Sequence, residues 1–155
     1  MKLLNNELSC GMEMYAHAEI LIADDNLADI VLIKTILEEI EFAGTLKVVS
    51  TGREALQYLQ ERIDAFPMRS QRPSLILIDL NMPVMGGMEL LKALKSDART
   101  MMIPTVILST SDRNDDIEKC YSMGAGGYII KPLNYELFKE KISATLAFWH
   151  NAGVR

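Results

Sequence analysis

Leu75-Ile76-Leu77-Ile78-Asp79-Leu80-Asn81-Met82-Pro83 is the stretch whose reading decides the fold. Four apolar residues in a row read as a strand buried on both faces, the kind found inside a parallel sheet. The run ends in a carboxylate, and Pro83 stops any continuation. An Asp at the end of a buried strand calls for a reason, because desolvating a charge is costly unless something compensates it. Taken alone, Asp79 reads as a cap for a turn or for the following helix, since Asp is common where strands give way to loops. The rest of the chain gives it a second reading.

Upstream, Ile20-Leu21-Ile22-Ala23 is a short apolar strand running into Asp24-Asp25. Asn26 is placed to cap a helix whose Ile30, Ile33, Leu37 and Ile40 recur at intervals of three and four. Beyond Gly44, Leu46-Lys47-Val48-Val49 is a weaker strand, and its lysine suits a sheet edge. Thr51-Gly52-Arg53-Glu54 fits a capping box and opens a second helix with Ala55, Leu56, Leu59 and Ile63 along one side. A polar connector from Asp64 to Pro73, which also holds Pro67, leads into the central strand.

Downstream, Gly86-Gly87 precede a helix through Met88, Leu91 and Leu94. Thr105-Val106-Ile107-Leu108 is a fourth strand, ending at Ser109-Thr110-Ser111, and Asp112 is placed to cap a fourth helix that closes at Gly124. Gly124-Ala125-Gly126-Gly127 lacks the preceding strand and following helix of a phosphate loop and reads as a helix end followed by a loop. Tyr128-Ile129-Ile130 is a fifth strand, cut off by Lys131-Pro132. Asn134 caps the last helix, with Phe138, Ile142, Thr145 and Trp149 at helical spacing. Five strands alternating with five helices make an α/β domain with a parallel sheet, because each helix carries the chain back to the same end. Residues 1–18 show no period and are expected to be a flexible extension, 19–150 the single domain, and 151–155 a tail.

Composition sets limits on function. A chain of 155 residues is long enough for one domain with a real core, and 49% hydrophobic and 24% charged residues are ordinary for a globular protein. A net charge of −5 with no basic stripe argues against a nucleic-acid binder. No apolar run approaches membrane-spanning length, and residues 1–19 lack the apolar core of a signal peptide. Two cysteines, Cys10 and Cys120, are too few for a disulfide framework or a metal cluster and fit the reducing cytoplasm.

In such sheets function collects at the carboxyl ends of the strands, where the winding reverses direction. The residues at those ends are Asp24-Asp25, Asp79, Ser109 and Lys131. Converging carboxylates repel: like charges about 4 Å apart cost on the order of 4 kcal/mol at an effective dielectric near 20. Either a proton is retained or a cation sits among them. The ligands on offer are all oxygens, which points to a hard cation such as Mg²⁺. A carboxylate, a divalent cation, the Lys131 ammonium and the Ser109 hydroxyl together suit phosphoryl transfer to the carboxylate itself.

The ordered set Asp24-Asp25-Asn26, Asp79 with Asn81-Met82-Pro83, Ser109 and Lys131-Pro132 resembles the receiver domain of two-component response regulators, over about residues 19 to 150. The resemblance implies a flavodoxin-like, doubly wound sheet of order 2-1-3-4-5 flanked by five helices. It further implies that Asp79 is the phosphoacceptor and that Asp24 and Asp25 are the acidic pair around Mg²⁺, with Asn81 lending a backbone carbonyl to the metal. Ser109 takes the hydroxyl position, Lys131 contacts the phosphoryl oxygens, and Tyr128 takes the aromatic switch position. The Lys131–Pro132 bond is one the family often holds cis. Gly86 stands where the family often has Asp, a difference in the turn before the third helix that touches no chemistry in the set. The connector and the lack of an output domain resemble single-domain regulators paired with phytochrome-type histidine kinases. The implied partners are therefore a cognate, phytochrome-like kinase and a second copy of the chain. The second copy would bind through the fourth helix, fifth strand and fifth helix, about residues 112 to 149, and neither nucleic acid nor membrane is implied.

Two other function classes compete. An aspartate-nucleophile phosphohydrolase would need a second Asp two residues after the nucleophile as general acid; Asn81 stands there, and an amide cannot donate and recover that proton. A pseudo-receiver that binds partners without phosphorylation would not need the intact acidic pair and Lys131. The expectation is thus a signalling switch rather than an enzyme, catalysing only its own phosphorylation and dephosphorylation.

Overall fold

The computed structural model describes residues 18–151, apart from 67, 69 and 70. The expected N-terminal extension and most of the expected C-terminal tail, like Pro67, therefore lie outside the described residues. Ten elements alternate along the chain: β1 (Glu19–Ala23), α1 (Leu27–Glu39), β2 (Thr45–Val49), α2 (Gly52–Ala65), β3 (Leu75–Asp79), α3 (Gly87–Ser96), β4 (Thr105–Ser109), α4 (Asn114–Ser122), β5 (Gly127–Ile130) and α5 (Tyr135–Asn151). The five strands form one parallel sheet in the order β2-β1-β3-β4-β5. Every residue of β3 and of β4 is buried, as a strand with helices on both faces requires. In β2, Thr45 and Lys47 are exposed, and β2 is an edge strand as Lys47 foretells.

Alternation along the strands divides the core in two. Ile20, Ile22, Leu75, Leu77, Val106 and Leu108 face α1 and α5, where Ile33, Ile36, Phe138 and Ile142 complete the layer. Leu21, Ala23, Ile76, Ile78 and Ile107 face the other way, onto Ala55 and Leu59 of α2, Leu90, Leu91 and Leu94 of α3 and Cys120 of α4. Truncating a fully buried member such as Leu77 to Ala would cost about 2–5 kcal/mol in lost transfer and cavity energy.

The helix starts follow local chemistry, with one correction. Asn26 Oδ1 accepts from the amides of Ala28 and Asp29, capping α1. Thr51 Oγ1 accepts from the Glu54 amide and caps α2, while Glu54 Oε2 accepts from the Ser50 amide, one residue before the Thr51 amide that a capping box would use. Asn134 Oδ1 accepts from the Leu137 amide and caps α5. Asp112, however, does not cap α4. That helix begins at Asn114 behind Arg113, whose side chain is all donors, and the Ser111 hydroxyl oxygen accepts from the Arg113 amide instead. In α5 Leu146 joins Phe138 and Ile142 in the core in place of Thr145, which is half-buried and whose hydroxyl donates back to the Lys141 carbonyl. The connector is shorter than its sequence suggests, because α2 runs on through Ala65. No described residue precedes a cis peptide bond, so Lys131–Pro132 is trans.

Candidate functional site

The register of the sheet brings the strand ends to one rim. Ala23 pairs with Ile78, Asp79 with Leu108, and Ser109 with Ile130. The residues just beyond, Asp24-Asp25 after β1 and Lys131 after β5, therefore emerge beside Asp79 and Ser109. The chain winds outward in one direction from β1 and in the other from β3, and the cleft between these two strands is where a parallel sheet of this order offers a ligand site. Backbone bonds hold the rim in place: the Asp24 amide donates to the Val49 carbonyl at 3.0 Å, and the Lys131 amide to the Ser109 carbonyl at 2.7 Å.

At the centre, Asp24, Asp25 and Asp79 each place a carboxylate oxygen within 4.8 Å of the others. Asp24 and Asp79 are only 1% and 6% exposed, whereas Asp25 faces solvent. Asp24 Oδ1 is fixed by the Asn26 amide at 2.8 Å. Asp79 Oδ1 receives a long 3.4 Å bond from the Asn81 amide. The Asp79 carboxyl is raised to about 6, chiefly by burial, with Lys131 pulling down, the neighbouring Asp24 charge pushing up and the Asn81 amide pulling down. Lys131 answers with its ammonium 3.3 Å from Asp24 Oδ2 and 3.5 Å from Asp79 Oδ1. Burial alone would lower its pKa, yet the hydrogen bond to Asp29 and the charges of Asp24, Asp79 and Asp29 prevail and raise it. Hard oxygens crowded in this way, one of them solvent-facing, fit a hexacoordinate divalent cation that keeps part of its water shell.

Of the remaining residues expected from the sequence, Ser109 and Asn81 lie at this rim, while Tyr128 lies within β5 and reaches the β4–α4 turn only through its hydroxyl. Ser109 is fully buried, and its Oγ accepts from the Ser111 amide at 3.1 Å. The Ser111 hydroxyl donates to Asp116 Oδ2 at 2.6 Å, which ties the β4–α4 turn to α4. Tyr128 pairs with Ile107 across the sheet, and its hydroxyl donates to the Ser111 carbonyl at 2.9 Å. Asn81 opens the β3–α3 turn with its own side chain exposed.

Two residues were not singled out by their sequence. Asp29, in the first turn of α1, sits 2.6 Å from the Lys131 ammonium through its Oδ2, nearer than either Asp24 or Asp79. In the sequence it reads as an ordinary acid at a helix N-terminus. Its only signal is its position one turn after Asp24-Asp25 on a helix leaving the same rim. Gly87 allows α3 to begin against the end of β3: a Cβ there would stand 2.7 Å from the Leu80 α-carbon and nearer still to the Asp79 carbonyl. The Gly87 amide meets the Leu80 carbonyl at 3.1 Å. Close backbone approach of this kind admits only glycine.

Residues 20–143 match the family model of the response regulator receiver domain. The chain belongs to that family. This receiver domain is 35% identical over 130 residues to the probable methanogenesis regulatory protein FilR2 of Methanothrix harundinacea, covering 84% of this chain and 82% of that protein. Among solved structures it resembles phosphorylated RcpA, a cyanobacterial phytochrome response regulator, with a TM-score of 0.76, 37% identity and coverage of 86% and 94% of the two chains. It also resembles the Mn²⁺-bound form of response regulator Rcp1, with a TM-score of 0.74, 30% identity and coverage of 85% and 94%; Rcp1 of Synechocystis is 31% identical over 130 residues. The fold class and the strand order expected from the sequence stand. The receiver is a two-component signalling module, the part of a response regulator with which histidine kinases interact. No helix among the described residues is long and apolar enough to cross a membrane.

Proposed function

We propose that this receiver takes a phosphoryl group from the phosphohistidine of a histidine kinase onto Asp79 and reports it through α4, β5 and α5. The observation that carries the reading is the meeting of Asp24, Asp25 and Asp79 within 4.8 Å, with the Lys131 ammonium beside them. An Asp79 oxygen forms the bond to phosphorus as the bond from the donor imidazole nitrogen breaks, and the electron pair leaves with the imidazole. Asp24, Asp25, Asp79 and the Asn81 backbone carbonyl would hold Mg²⁺, which supplies charge neutralisation for the incoming phosphoryl oxygens. Lys131, whose ammonium is 3.5 Å from Asp79 Oδ1, adds a positive charge beside the acceptor, and the Ser109 hydroxyl donates to a phosphoryl oxygen. The proposed receiver body spans 19–150. Its likeness to RcpA and Rcp1 supports a phytochrome-like kinase as the phosphodonor.

The output surface is supported by what it exposes. Tyr121 and Phe148 are open to solvent beside a half-buried Trp149, around a shallow hollow of about 270 Å³ lined also by Tyr128 and Ala144. Aromatic groups of this kind are enriched at interfaces, and a second copy of the chain is the proposed occupant.

Acetyl phosphate with Mg²⁺ tests the assignment. Intact-mass spectrometry should show one phosphate added to the wild type and none to Asp79→Asn or to wild type with chelator. Labelling that survives Asp79→Asn would move the acceptor elsewhere. A phosphotransfer screen against candidate histidine kinases then identifies the donor.

A further inference from the structure

Asp29 has its shortest contact with a residue 102 positions away in sequence, the Lys131 ammonium. At 2.6 Å this is a short charge-assisted hydrogen bond, whereas Asp24 at 3.3 Å and Asp79 at 3.5 Å lie farther from the same nitrogen. The pair is shielded, with side-chain exposures of 11% for Lys131 and 19% for Asp29. Asp29 is outside the group of carboxylates able to share a metal, which comprises Asp24, Asp25 and Asp79. Its backbone is fixed in the first turn of α1, where its amide donates to Asn26 Oδ1. A helix-start acid needs no partner to be favourable there. The pairing with Lys131 therefore asks for its own account.

We propose that Asp29 is a positioning residue for phosphoryl transfer: it holds the Lys131 ammonium in the unphosphorylated protein and yields it to the phosphoryl oxygens once Asp79 is modified. This rests on the reading of Asp79 as the phosphoacceptor. The geometry favours an exchange of partners over a wholesale movement. The Lys131 backbone is anchored, its amide bonded to the Ser109 carbonyl at 2.7 Å, so only the flexible side chain has to swing. Oxygens of two carboxylates, Asp29 and the more distant Asp24, accept from the ammonium before the reaction; afterwards a phosphoryl group offers three acceptors. In the resting site the same contact keeps Lys131 from closing fully on Asp79, so Asp29 sets how much of the lysine charge the acceptor feels.

The Lys131 side-chain amine can be followed by ¹⁵N NMR in wild type, Asp29→Asn and Asp29→Glu, with and without beryllofluoride at saturating Mg²⁺. The free wild-type and Asp29→Asn spectra should differ at Lys131. With the mimic bound they should coincide, because the lysine has left Asp29 in both. The mimic should bind Asp29→Asn about two- to fivefold more tightly, the range open to a shielded ion pair that no longer competes. Asp29→Glu, which restores the charge, should return the affinity toward the wild-type value. A Lys131 difference that persists unchanged with beryllofluoride bound would show that Asp29 keeps the lysine throughout, and the inference would fall. Equal Lys131 signals in the free proteins would likewise overturn it. Beryllofluoride that leaves the wild-type spectrum unmoved would instead defeat the phosphoacceptor reading itself.

Discussion

The Asp79 main-chain carbonyl lies directly against the α-carbon of Gly87, where any side chain would collide with it. The first turn of α3 is thereby pressed onto the end of β3. Gly87→Ala should force Asp79 or the helix start to shift, at a cost of about 1–3 kcal/mol. The shift should also misplace the acceptor carboxylate and slow labelling by acetyl phosphate more than tenfold, since small displacements of reacting groups are costly. Urea unfolding and intact-mass time courses check both effects. A variant that is as stable and as reactive as wild type would show that the rim adapts freely.

The raised Asp79 carboxyl makes the metal-free protein pH-sensitive, and the sign follows from linkage. Unfolded, the group titrates near its ordinary 3.8; folded, near 6. As pH rises through this window the unfolded chain loses its proton first, so the fold loses stability and does not regain it at higher pH. The full shift corresponds to roughly 3 kcal/mol, reduced to about 1–2 by the water that reaches Asp25. Asp79→Asn lacks this titration. The stability of wild type relative to Asp79→Asn should therefore fall between pH 4 and pH 7 by about 1–2 kcal/mol, as read by urea unfolding with chelator present. Mg²⁺ competes with the proton, so its stabilisation of wild type should grow over the same window. A pH-independent difference between the two proteins would contradict the burial argument.

Val84, in the β3–α3 loop, is the one β-branched residue among those described with a left-handed backbone, at φ 69°. It is 73% exposed, so little packing is lost on replacing it. The strain is on the order of 1–2 kcal/mol, and Asn tolerates this conformation better. Val84→Asn should raise stability by about 0.5–1.5 kcal/mol, measured by urea or thermal unfolding. A loss of stability would show that the valine side chain makes a contact worth more than the strain.

How far these features were legible in sequence depends on how local their causes are. The central strand announced itself because β3 is buried on both faces and so carries an unbroken apolar run from Leu75 to Ile78. Lys47 marked an edge for the same kind of reason. The caps of α1, α2 and α5 could be read because each is an exchange between residues two to four apart. The start of α4 could not, because Ser109, Ser111 and Asp112 all offer oxygens there. Ser111, bonded to Asp116 and to the Arg113 amide, organises the turn. Asp29 was illegible because its partner comes from the far end of the sheet and only the strand order brings them together. The carboxylate cluster was foreseeable without contacts, since a parallel sheet must deliver its strand ends to one rim.

A chain of hydrogen bonds links Ser109, beside Asp79, to β5. Ser109 Oγ accepts from the Ser111 amide at 3.1 Å, and the Ser111 carbonyl accepts from the Tyr128 hydroxyl at 2.9 Å. A phosphoryl group on Asp79 recruits the Ser109 hydroxyl as donor, and any inward movement of Ser109 pulls Ser111 with it. The Tyr128 hydroxyl then loses its acceptor, and the ring is free to turn into the space vacated beside β4. The surface proposed to respond is α4, β5 and α5, where Tyr121 and Phe148 already face solvent. Converting such a switch from 1:99 to 99:1 takes about 5.5 kcal/mol of differential interaction. A charge-assisted contact is worth roughly 1.5–3 kcal/mol; the one from Ser109 is new, whereas that from Lys131 replaces its bond to Asp29, so Ser109 carries the larger share. Beryllofluoride with Mg²⁺ should therefore increase self-association of wild type in sedimentation, and Ser109→Ala should lose most of the response while still binding the mimic. Tyr128→Phe, which lacks the restraining hydroxyl, should associate more readily than wild type without the mimic. If the mimic binds wild type and changes neither sedimentation nor amide exchange over residues 112 to 149, phosphorylation is reported through some other face.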